Sequence, residues 1–431
     1  MLKKSLIAIG VAAAIPAVSF ADITRPDELV APDKDLPVIT IDGDVWVSPN
    51  DRGTTGNRSE ISQQSSFNAA YVDQAGDDGD STSLIYQGDY GNHLAVVEQD
   101  GTDADSVILQ TGLAQTAGVS TSNSGKTSTS YVFQQGGEYN VATVDLDGSS
   151  NASTVLQDDS WGSVAYVDVS GDRNNSNVYQ TGASQTADVD ITYSDDNTVR
   201  VNQWGIEHTA DVDIVGGYVN IVDIEQNAAG STVNVRSADS FDNIIRAGQD
   251  YSFGDTIDVN NQNSEGSRID LRQTNSWGSK IDVAVGGSSF TDIDATQTGE
   301  GNYLGIRNTG SDHNDIASAQ RGWENGADID IVRGSDENDV LTLQKGTANY
   351  TDVDLAASSY NDIGVDQTGL KNTGVVNLAN ANNNHVGVSQ YGDFNYAHVD
   401  LDTNGNTVKI EQNGWNNHAC SSSTGYCSHT Y

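Results

Sequence analysis

The chain has 431 residues, a formal net charge of −41, and 44 glycines but only 5 prolines. This acidity excludes nucleic acid as a partner, because phosphate binding needs clustered Lys and Arg and only 20 of these residues are scattered along the chain. The high polarity would also suit a disordered protein, but Val and Ile recur at fixed intervals, which indicates an ordered repeat.

The first 21 residues have the pattern of a secretory signal peptide. Lys3 and Lys4 precede an apolar run at 6–17, and the small residues Ser19 and Ala21 have the spacing of a cleavage site. No other apolar run approaches the roughly 20 residues of a membrane-spanning helix. We therefore expect an exported protein that is not an integral membrane protein; an uncleaved N-terminal anchor is the alternative.

Residues 22–56 do not follow the pattern of the rest of the chain. They are rich in proline and acidic residues, and the alternating piece at 38–47 has an Asp-Gly pair at its centre, which predicts a β-hairpin. We predict that this segment is a linker, or that it caps the first repeat or is held during export.

Residues 57–419 form a repeat of 23 residues, occasionally 22, 24 or 25, that is marked by a glutamine. Sixteen repeats follow one another without a missing glutamine. Periods of this length are typical of solenoids, in which each repeat packs on its neighbours. The marking glutamines are Gln63, Gln87, Gln110, Gln135, Gln157, Gln180, Gln203, Gln226, Gln249, Gln273, Gln297, Gln320, Gln344, Gln367, Gln390 and Gln412.

Further positions of the repeat are marked relative to this glutamine. A turn glycine is common two residues after it and an asparagine five residues after it, with aliphatic residues four and two before it and nine after it. The inward positions have one parity before the turn and the other parity after it, so a four-residue turn directs both marked faces at each other. Representative turn and amide positions are Gly322, Gly346, Gly369 and Gly392, and Asn325, Asn349, Asn372 and Asn395.

A strand-turn-strand unit of this kind has open edges and half a core, so it is unstable alone. We therefore predict an all-β protein, a β-solenoid in which each 23-residue rung pairs with the rungs above and below it in cross-β stacking. In residues 384–401 the predicted inward side chains are Val386, Val388, Gln390, Asn395, Ala397, Val399 and Leu401.

The core composition changes along the repeats. The position four before the glutamine is aliphatic from Val199 onward, which predicts a drier and more stable core there. In the earlier repeats the same position is often serine, as at Ser59, Ser83, Ser106, Ser153 and Ser176.

The inward Gln and Asn side chains are predicted to form ladders. A buried amide costs free energy unless its hydrogen bonds are made, and identical amides one rung apart bond to each other. Such ladders also fix the register of the strands. The alternative is that these amides are solvated on a loop-rich surface.

Acidic residues in an Asp-x-Asp pattern lie on the outward face of the second strand. Stacked carboxylates repel, so they raise one another's pKa or gather cations. We favour a negatively charged coat that keeps the monomer soluble, and no cofactor is predicted; calcium binding is the weaker alternative. The pairs are Asp188 and Asp190, Asp211 and Asp213, Asp328 and Asp330, and Asp352 and Asp354.

The C-terminal tail, 420–431, is bracketed by cysteines. In an oxidising exported setting Cys420 and Cys427 are expected to form a small disulfide loop. If this loop capped the last rung, that end would be less adhesive. Zinc binding by these cysteines with His418 and His429 is the alternative.

The chain lacks the motifs of common enzymes. It has no Gly-x-Ser-x-Gly, no His-Glu-x-x-His and no phosphate loop, so we predict no catalytic residues and no metal centre. The tryptophans of the turns suggest sugar stacking, but they lie at differing turn positions, so we expect isolated packing residues. They are Trp161, Trp204, Trp277, Trp323 and Trp415.

The repeat Gln-x-Gly-x-x-Asn-x-Ala resembles that of the curlin family, the subunits of curli. The resemblance covers residues 57 to about 419. The second glutamine of the family repeat, eleven residues after the first, is kept clearly only as Gln74, and later repeats carry Leu or Ile there. The matching sets are Gln390, Gly392, Asn395 and Ala397; Gln135, Gly137, Asn140 and Ala142; and Gln63, Asn68, Ala70 and Gln74, with Ser65 in the place of the glycine.

The resemblance implies a secreted, non-enzymatic subunit that assembles with itself into extracellular amyloid fibres at the cell surface, for adhesion and biofilm matrix. It also implies a nucleator subunit and an outer-membrane secretion machinery as partners. The ladder itself allows a head-to-tail filament, because an uncapped last rung can accept the first rung of another molecule. The alternative is a monomeric β-solenoid adhesin or carbohydrate-binding surface protein; a polysaccharide-degrading β-helix is more remote.

Overall fold

The computed structural model describes residues 57–75, 81–122, 127–218, 220–238, 240–241, 244–263, 266–287, 291–309, 314–332 and 337–423. The predicted signal peptide, the segment 22–56 and Cys427 lie outside the described residues, and the predicted domain boundaries stay predictions. Contacts divide the chain into unit 1, Met1–Thr192, and unit 2, Tyr193–Tyr431.

Unit 1 alternates between two parallel sheets. The odd-numbered strands pair in the order β1-β3-β5-β7-β9-β11 and the even-numbered strands in the order β2-β4-β6-β8-β10-β12. The strands are β1 Arg58–Gln63, β2 Ala69–Ala75, β3 Thr82–Gly91, β4 Leu94–Asp100, β5 Ala104–Leu113, β6 Thr116–Ser122, β7 Ser128–Gln135, β8 Val141–Asp147, β9 Ala152–Asp158, β10 Val164–Ser170, β11 Asn175–Ala183 and β12 Thr186–Thr192.

Unit 2 also contains two kinds of strand, but they do not alternate throughout, since β19, β20, β21 and β22 pair consecutively. The first strands pair in the order β13-β17-β19-β20-β21-β22-β24-β26-β28-β30, and second strands pair as β23-β25-β27-β29-β31. The strands are β13 Thr198–Ile206, β14 Thr209–Asp211, β15 Ile214–Val215, β16 Gly217–Tyr218, β17 Ile221–Ala229, β18 Ser240–Phe241, β19 Ile244–Phe253, β20 Arg268–Trp277, β21 Asp292–Glu300, β22 Asp315–Trp323, β23 Gly326–Asp328, β24 Asp339–Thr347, β25 Tyr350–Ala356, β26 Asp362–Leu370, β27 Thr373–Ala379, β28 His385–Asp393, β29 Tyr396–Leu401, β30 Thr407–Trp415 and β31 His418–Ser422.

Successive strands of one rung do not pair with each other as in a hairpin. Strand β28 pairs in parallel with β26 and β30, and β29 pairs in parallel with β27 and β31. The fold is therefore the predicted all-β, parallel β-solenoid, with about 15 turns and a period of about 23 residues. Among the described residues no helix is long and apolar enough to cross a membrane.

The two strands of a rung face each other through their inward side chains. All seven side chains predicted to point inward in residues 384–401 are buried. The alternation of buried and exposed residues in β28 and β29 follows from the two-residue period of a strand, and the turn between them reverses the parity.

A column of serines runs through the core of unit 1. Ser83, Ser106, Ser130 and Ser153 are in register in successive rungs and are buried. The Oγ of Ser106 accepts a hydrogen bond from Gln99 Nε2 at 3.0 Å, whereas the Oγ atoms of the other three have no hydrogen-bond partner among the described residues. In unit 2 the equivalent position is aliphatic, as at Val222, so the unit 1 core carries an extra desolvation cost.

Replacing an unbonded serine should stabilise the protein. We expect Ser130→Ala to raise the free energy of unfolding by about 1 kcal/mol, because it removes a buried hydroxyl that has no partner. Ser106→Ala, in the same column, should stabilise less, because its Oγ accepts one hydrogen bond from Gln99, whose Nε2 also donates to Thr82 O and Ala104 O. Urea unfolding followed by circular dichroism measures both, and an equal or larger midpoint increase for Ser106→Ala would contradict this account.

Candidate functional site: the amide ladders

Glutamine side chains form a hydrogen-bonded run through the core of unit 1. In each rung the Nε2 of the glutamine donates to the Oε1 of the glutamine in the next rung, at 2.6–2.9 Å. These glutamines lie at the same register position of the odd-numbered strands and are buried. The run consists of Gln63, Gln87, Gln110, Gln134, Gln157 and Gln180.

Unit 2 contains a longer run with the same direction. Its Nε2-to-Oε1 distances are 2.7–3.0 Å. The second Nε2 hydrogen reaches a backbone carbonyl of the opposite strand, as from Gln390 to Thr373 at 2.9 Å, so the amide is fully used. The run consists of Gln203, Gln226, Gln249, Gln273, Gln297, Gln320, Gln344, Gln367, Gln390 and Gln412.

The prediction of Gln135 is wrong by one residue. Gln134 lies in the ladder, where it accepts from Gln110 at 2.9 Å and donates to Gln157 at 2.8 Å, and Gln135 is half-buried beside the turn. The spacing to the turn glycine favoured Gln135, but the alternation of β7 buries Ser128, Ser130, Val132 and Gln134. Strand parity therefore determines which glutamine is buried, and the turn after Gln134 is one residue longer than the spacing predicts.

Asparagines form a second ladder in unit 2, with the opposite direction. Each Nδ2 donates to the Oδ1 of the asparagine in the preceding rung at 2.7–3.1 Å. The backbone N–H of each asparagine donates to the same Oδ1, so this oxygen accepts two hydrogen bonds. The ladder consists of Asn302, Asn325, Asn349, Asn372, Asn395 and Asn417.

A third ladder lies at the position six before the glutamine, where asparagine is frequent in the sequence. It repeats the geometry of the second, with Nδ2-to-Oδ1 distances of 2.9–3.0 Å. Its members were not among the predicted ladder residues, although their spacing was the signal. They are Asn314, Asn338, Asn361, Asn384 and Asn406.

The predicted turn glycines are required by the approach of neighbouring rungs. Gly322, Gly346, Gly369 and Gly392 have φ values of 112–131°, in the left-handed region. A Cβ on any of them would lie 1.9–2.0 Å from the carbonyl oxygen of the glycine in the next rung. That carbonyl also accepts from the asparagine ladder, as Gly392 O does from Asn372 Nδ2 at 2.7 Å. The glycines thus let the turn backbones stack closely enough for their carbonyl groups to accept hydrogen bonds from the asparagine ladder.

In unit 1 the amide positions after the turn are occupied by more varied residues than in unit 2. Gln74 Nε2 donates to Gln99 Oε1 at 2.7 Å, so the second glutamine of the repeat is kept in two rungs and not only at Gln74. Gln99 escaped prediction because a bulge beside Gly91 lengthens its rung by one residue. His93 stands in for asparagine, with Nδ1 accepting from the Gln115 N–H at 3.4 Å, and burial lowers the pKa of His93 to about 4.

Carboxylates stack on the outward face of the second strands. In unit 1 Asp145, Asp168 and Asp190 occupy one register position in three successive rungs. Burial, and then the charges of Asp145 and Asp190, raise the pKa of Asp168 to about 6. In unit 2 burial and then Asp328 raise the pKa of Asp352.

Calcium binding by the carboxylate pairs stays a prediction. One of them, Asp213, is paired with Arg236 at 3.2 Å. In the part of the chain that the structure describes, no three His, Cys, Asp or Glu side chains form a group that could hold a metal ion. Cys420 lies on β31, and since Cys427 lies outside the described residues, the disulfide also stays a prediction.

A methyl group on a turn glycine should disrupt the stack. We expect Gly369→Ala to lower the free energy of unfolding by more than about 2 kcal/mol, because it adds a backbone clash to an unfavourable φ. Gly364→Ala is the matched control in the same strand, since its Cβ would meet nothing within 4 Å. Chemical unfolding of both variants measures this, and equal midpoints would show that the close approach is unimportant.

The carboxylate column should make stability depend on pH. Because the folded pKa of Asp168, about 6, exceeds the ordinary value of 3.8, the folded state keeps the proton that the unfolded chain loses between these values, and stability falls as pH rises through this window. We expect Asp168→Asn to raise the melting temperature at pH 7.5 and to leave it nearly unchanged at pH 3.5. The same shift at both pH values would exclude this cause.

One known family model matches part of this chain. The curlin associated repeat matches residues 381–414, which include the ladder glutamines Gln390 and Gln412. No curated protein matches the chain. The match and the β-solenoid fold together suggest a structural rather than an enzymatic protein. Over these residues the chain is similar to curlin repeats, and its fold is that expected of a curlin-like repeat protein.

Proposed function

We propose that this chain is a secreted structural subunit that assembles head to tail into curli-like extracellular amyloid fibres, for adhesion and biofilm matrix. The observation that carries the proposal is the complementarity of the amides in the first and last described rungs. A nucleator subunit and an outer-membrane secretion machinery are the further partners that the curlin likeness suggests.

The glutamine run begins with an unused acceptor. Gln63 Nε2 donates to Gln87, while Gln63 Oε1 is buried and has no hydrogen-bond partner among the described residues. At the other edge, Gln412 accepts from Gln390 and donates one Nε2 hydrogen to Tyr396 O at 2.9 Å. An amide has two such hydrogens, and no described residue accepts the second, so a glutamine one rung further on can accept it. Gln412 of one copy therefore complements Gln63 of another.

The asparagines fit the same junction. Asn406 and Asn417 lie six residues before and five after Gln412, and Asn57 and Asn68 lie at the same offsets from Gln63. Stacking the rung of Gln412 on the rung of Gln63 in register thus aligns three amide columns at once. Reversing one of the copies would instead pair acceptor with acceptor, so the junction favours head-to-tail growth.

The net charge of −41 opposes this association. Copies that stack bring their outward carboxylates to rung spacing, so salt or mild acid should favour assembly by screening or protonating them. The alternative is a monomeric β-solenoid adhesin or carbohydrate-binding surface protein, in which the edge rungs are capped within one molecule.

The test follows fibre formation by the chain without its predicted signal peptide. Thioflavin fluorescence, electron microscopy and X-ray fibre diffraction should show unbranched cross-β fibres. We expect Gln412→Leu to slow elongation from wild-type seeds by about fivefold or more, because a buried amide at the junction loses its partner. An interior variant, Gln297→Leu, should destabilise the monomer more, since both of its neighbours lose a partner, whereas Gln412→Leu deprives only Gln390 within one chain.

Two results would count against this function. A wild-type chain that stays monomeric across a range of pH and salt would favour the capped monomer. Fibres that elongate equally well with Gln412→Leu would show that subunits join elsewhere than at this rung.

A further inference from the structure

Three exposed aromatic residues form a column on unit 2, which we term the aromatic column: Phe253, Trp277 and Trp323. Phe253 is in register with Trp277, and Trp277 and Trp323 each pair with Glu300, which lies between them. The expectation of isolated tryptophans at differing turn positions is therefore wrong here. A one-residue shift of register in β20, between Thr274 and Ser276, hid the alignment.

The column contributes little to the core. Phe253, Trp277 and Trp323 are 54%, 63% and 61% exposed. Phe253 and Trp277 contact each other, with ring centroids 5.3 Å apart, at an angle of 50°. Large aromatic side chains clustered in water mark interaction surfaces more often than packing.

The spacing and the neighbours of the column favour a sugar polymer. Two rungs separate Trp277 from Trp323, or about 9.6 Å along the stack, which is close to the length of two linked pyranose rings in an extended chain. Pyranose rings stack their C–H faces on indole rings. Glu300 lies between the tryptophans, and Thr298 and Arg321 lie two residues before Glu300 and Trp323, in register with each other. These polar side chains border the column, where sugar hydroxyls would need hydrogen bonds.

The negative charge of the chain favours an uncharged ligand for the aromatic column. The chain carries a net charge of −41, so a second copy lying side by side with the first, or any polyanion, would be repelled. An uncharged polymer meets no such repulsion. We propose that the aromatic column binds a neutral polysaccharide of β-linked pyranose rings, lying along the stack across Phe253, Trp277 and Trp323. Binding at the aromatic column does not require fibre assembly, because all three aromatic residues lie within one chain.

The full chain without its predicted signal peptide can be tested as a monomer and as an assembled sample. The probes are cellohexaose in isothermal titration calorimetry and insoluble cellulose in a pull-down, with α-linked dextran as the control polymer. We expect binding of both β-linked probes, about tenfold weaker for Trp277→Ala or Trp323→Ala and weaker still for the double variant.

Trp415→Ala is the matched control. Trp415 is 70% exposed at the same register position, but Thr347, Leu370 and Asp393 separate it from Trp323. Its substitution should leave binding unchanged, and circular dichroism should show that all variants keep the β fold.

Several outcomes would overturn the proposal. These are no binding by the wild type, equal loss with Trp415→Ala, equal binding of dextran, or variants that bind as the wild type does. Trp277→Ala and Trp323→Ala that reduce lateral bundling of copies but not cellohexaose binding would assign the column to a second copy. Since binding is measured on the monomer, its failure is separate from failure of fibre assembly.

Discussion

The structure depends on the requirement that a buried amide make its hydrogen bonds. An inward glutamine would cost several kcal/mol if it were unpaired in an apolar core. One rung supplies no partner for it, but identical rungs about 4.8 Å away on either side supply a donor and an acceptor. The same requirement fixes the register, because a slip by one residue would separate every amide from its neighbour and turn acidic side chains inward.

The two units meet this requirement with different side chains. Unit 2 carries two asparagine ladders in which one oxygen accepts both a side-chain and a backbone N–H. Unit 1 satisfies the equivalent backbone groups with a mixture that includes His93 and Asn140, and several of its buried serine hydroxyls have no partner in the described part of the chain. The cross-β backbone is the same in both, so the side-chain column at each position decides how well the core is satisfied.

The sequence was sufficient to predict which residues of a strand point inward. Alternation alone identified the inward residues around Gln390, since the parity of a strand is strict. Relations that cross a turn or a bulge were harder. At Gln134 the spacing to a turn glycine conflicted with strand parity, so the spacing predicted Gln135 instead. Gln99 was hidden because the bulge at Gly91 shifts it by one residue from the expected position. The alignment of Trp277 with Trp323 was hidden in the same way.

The opposed directions of the glutamine and asparagine ladders in unit 2 have an electrostatic consequence. Peptide dipoles that all point the same way, as in an α-helix, add to a macrodipole with partial charges at its ends. Here the Gln390 column points its amide dipoles one way and the Asn372 and Asn361 columns point theirs the other way, so the contributions oppose one another as rungs are added. Within each strand, successive peptide groups point alternately up and down the stack, so the backbone adds little net dipole along it. Lengthening the stack therefore builds up less axial field than three columns of one direction would, and each new rung also adds the mutual repulsion of the carboxylates on its surface.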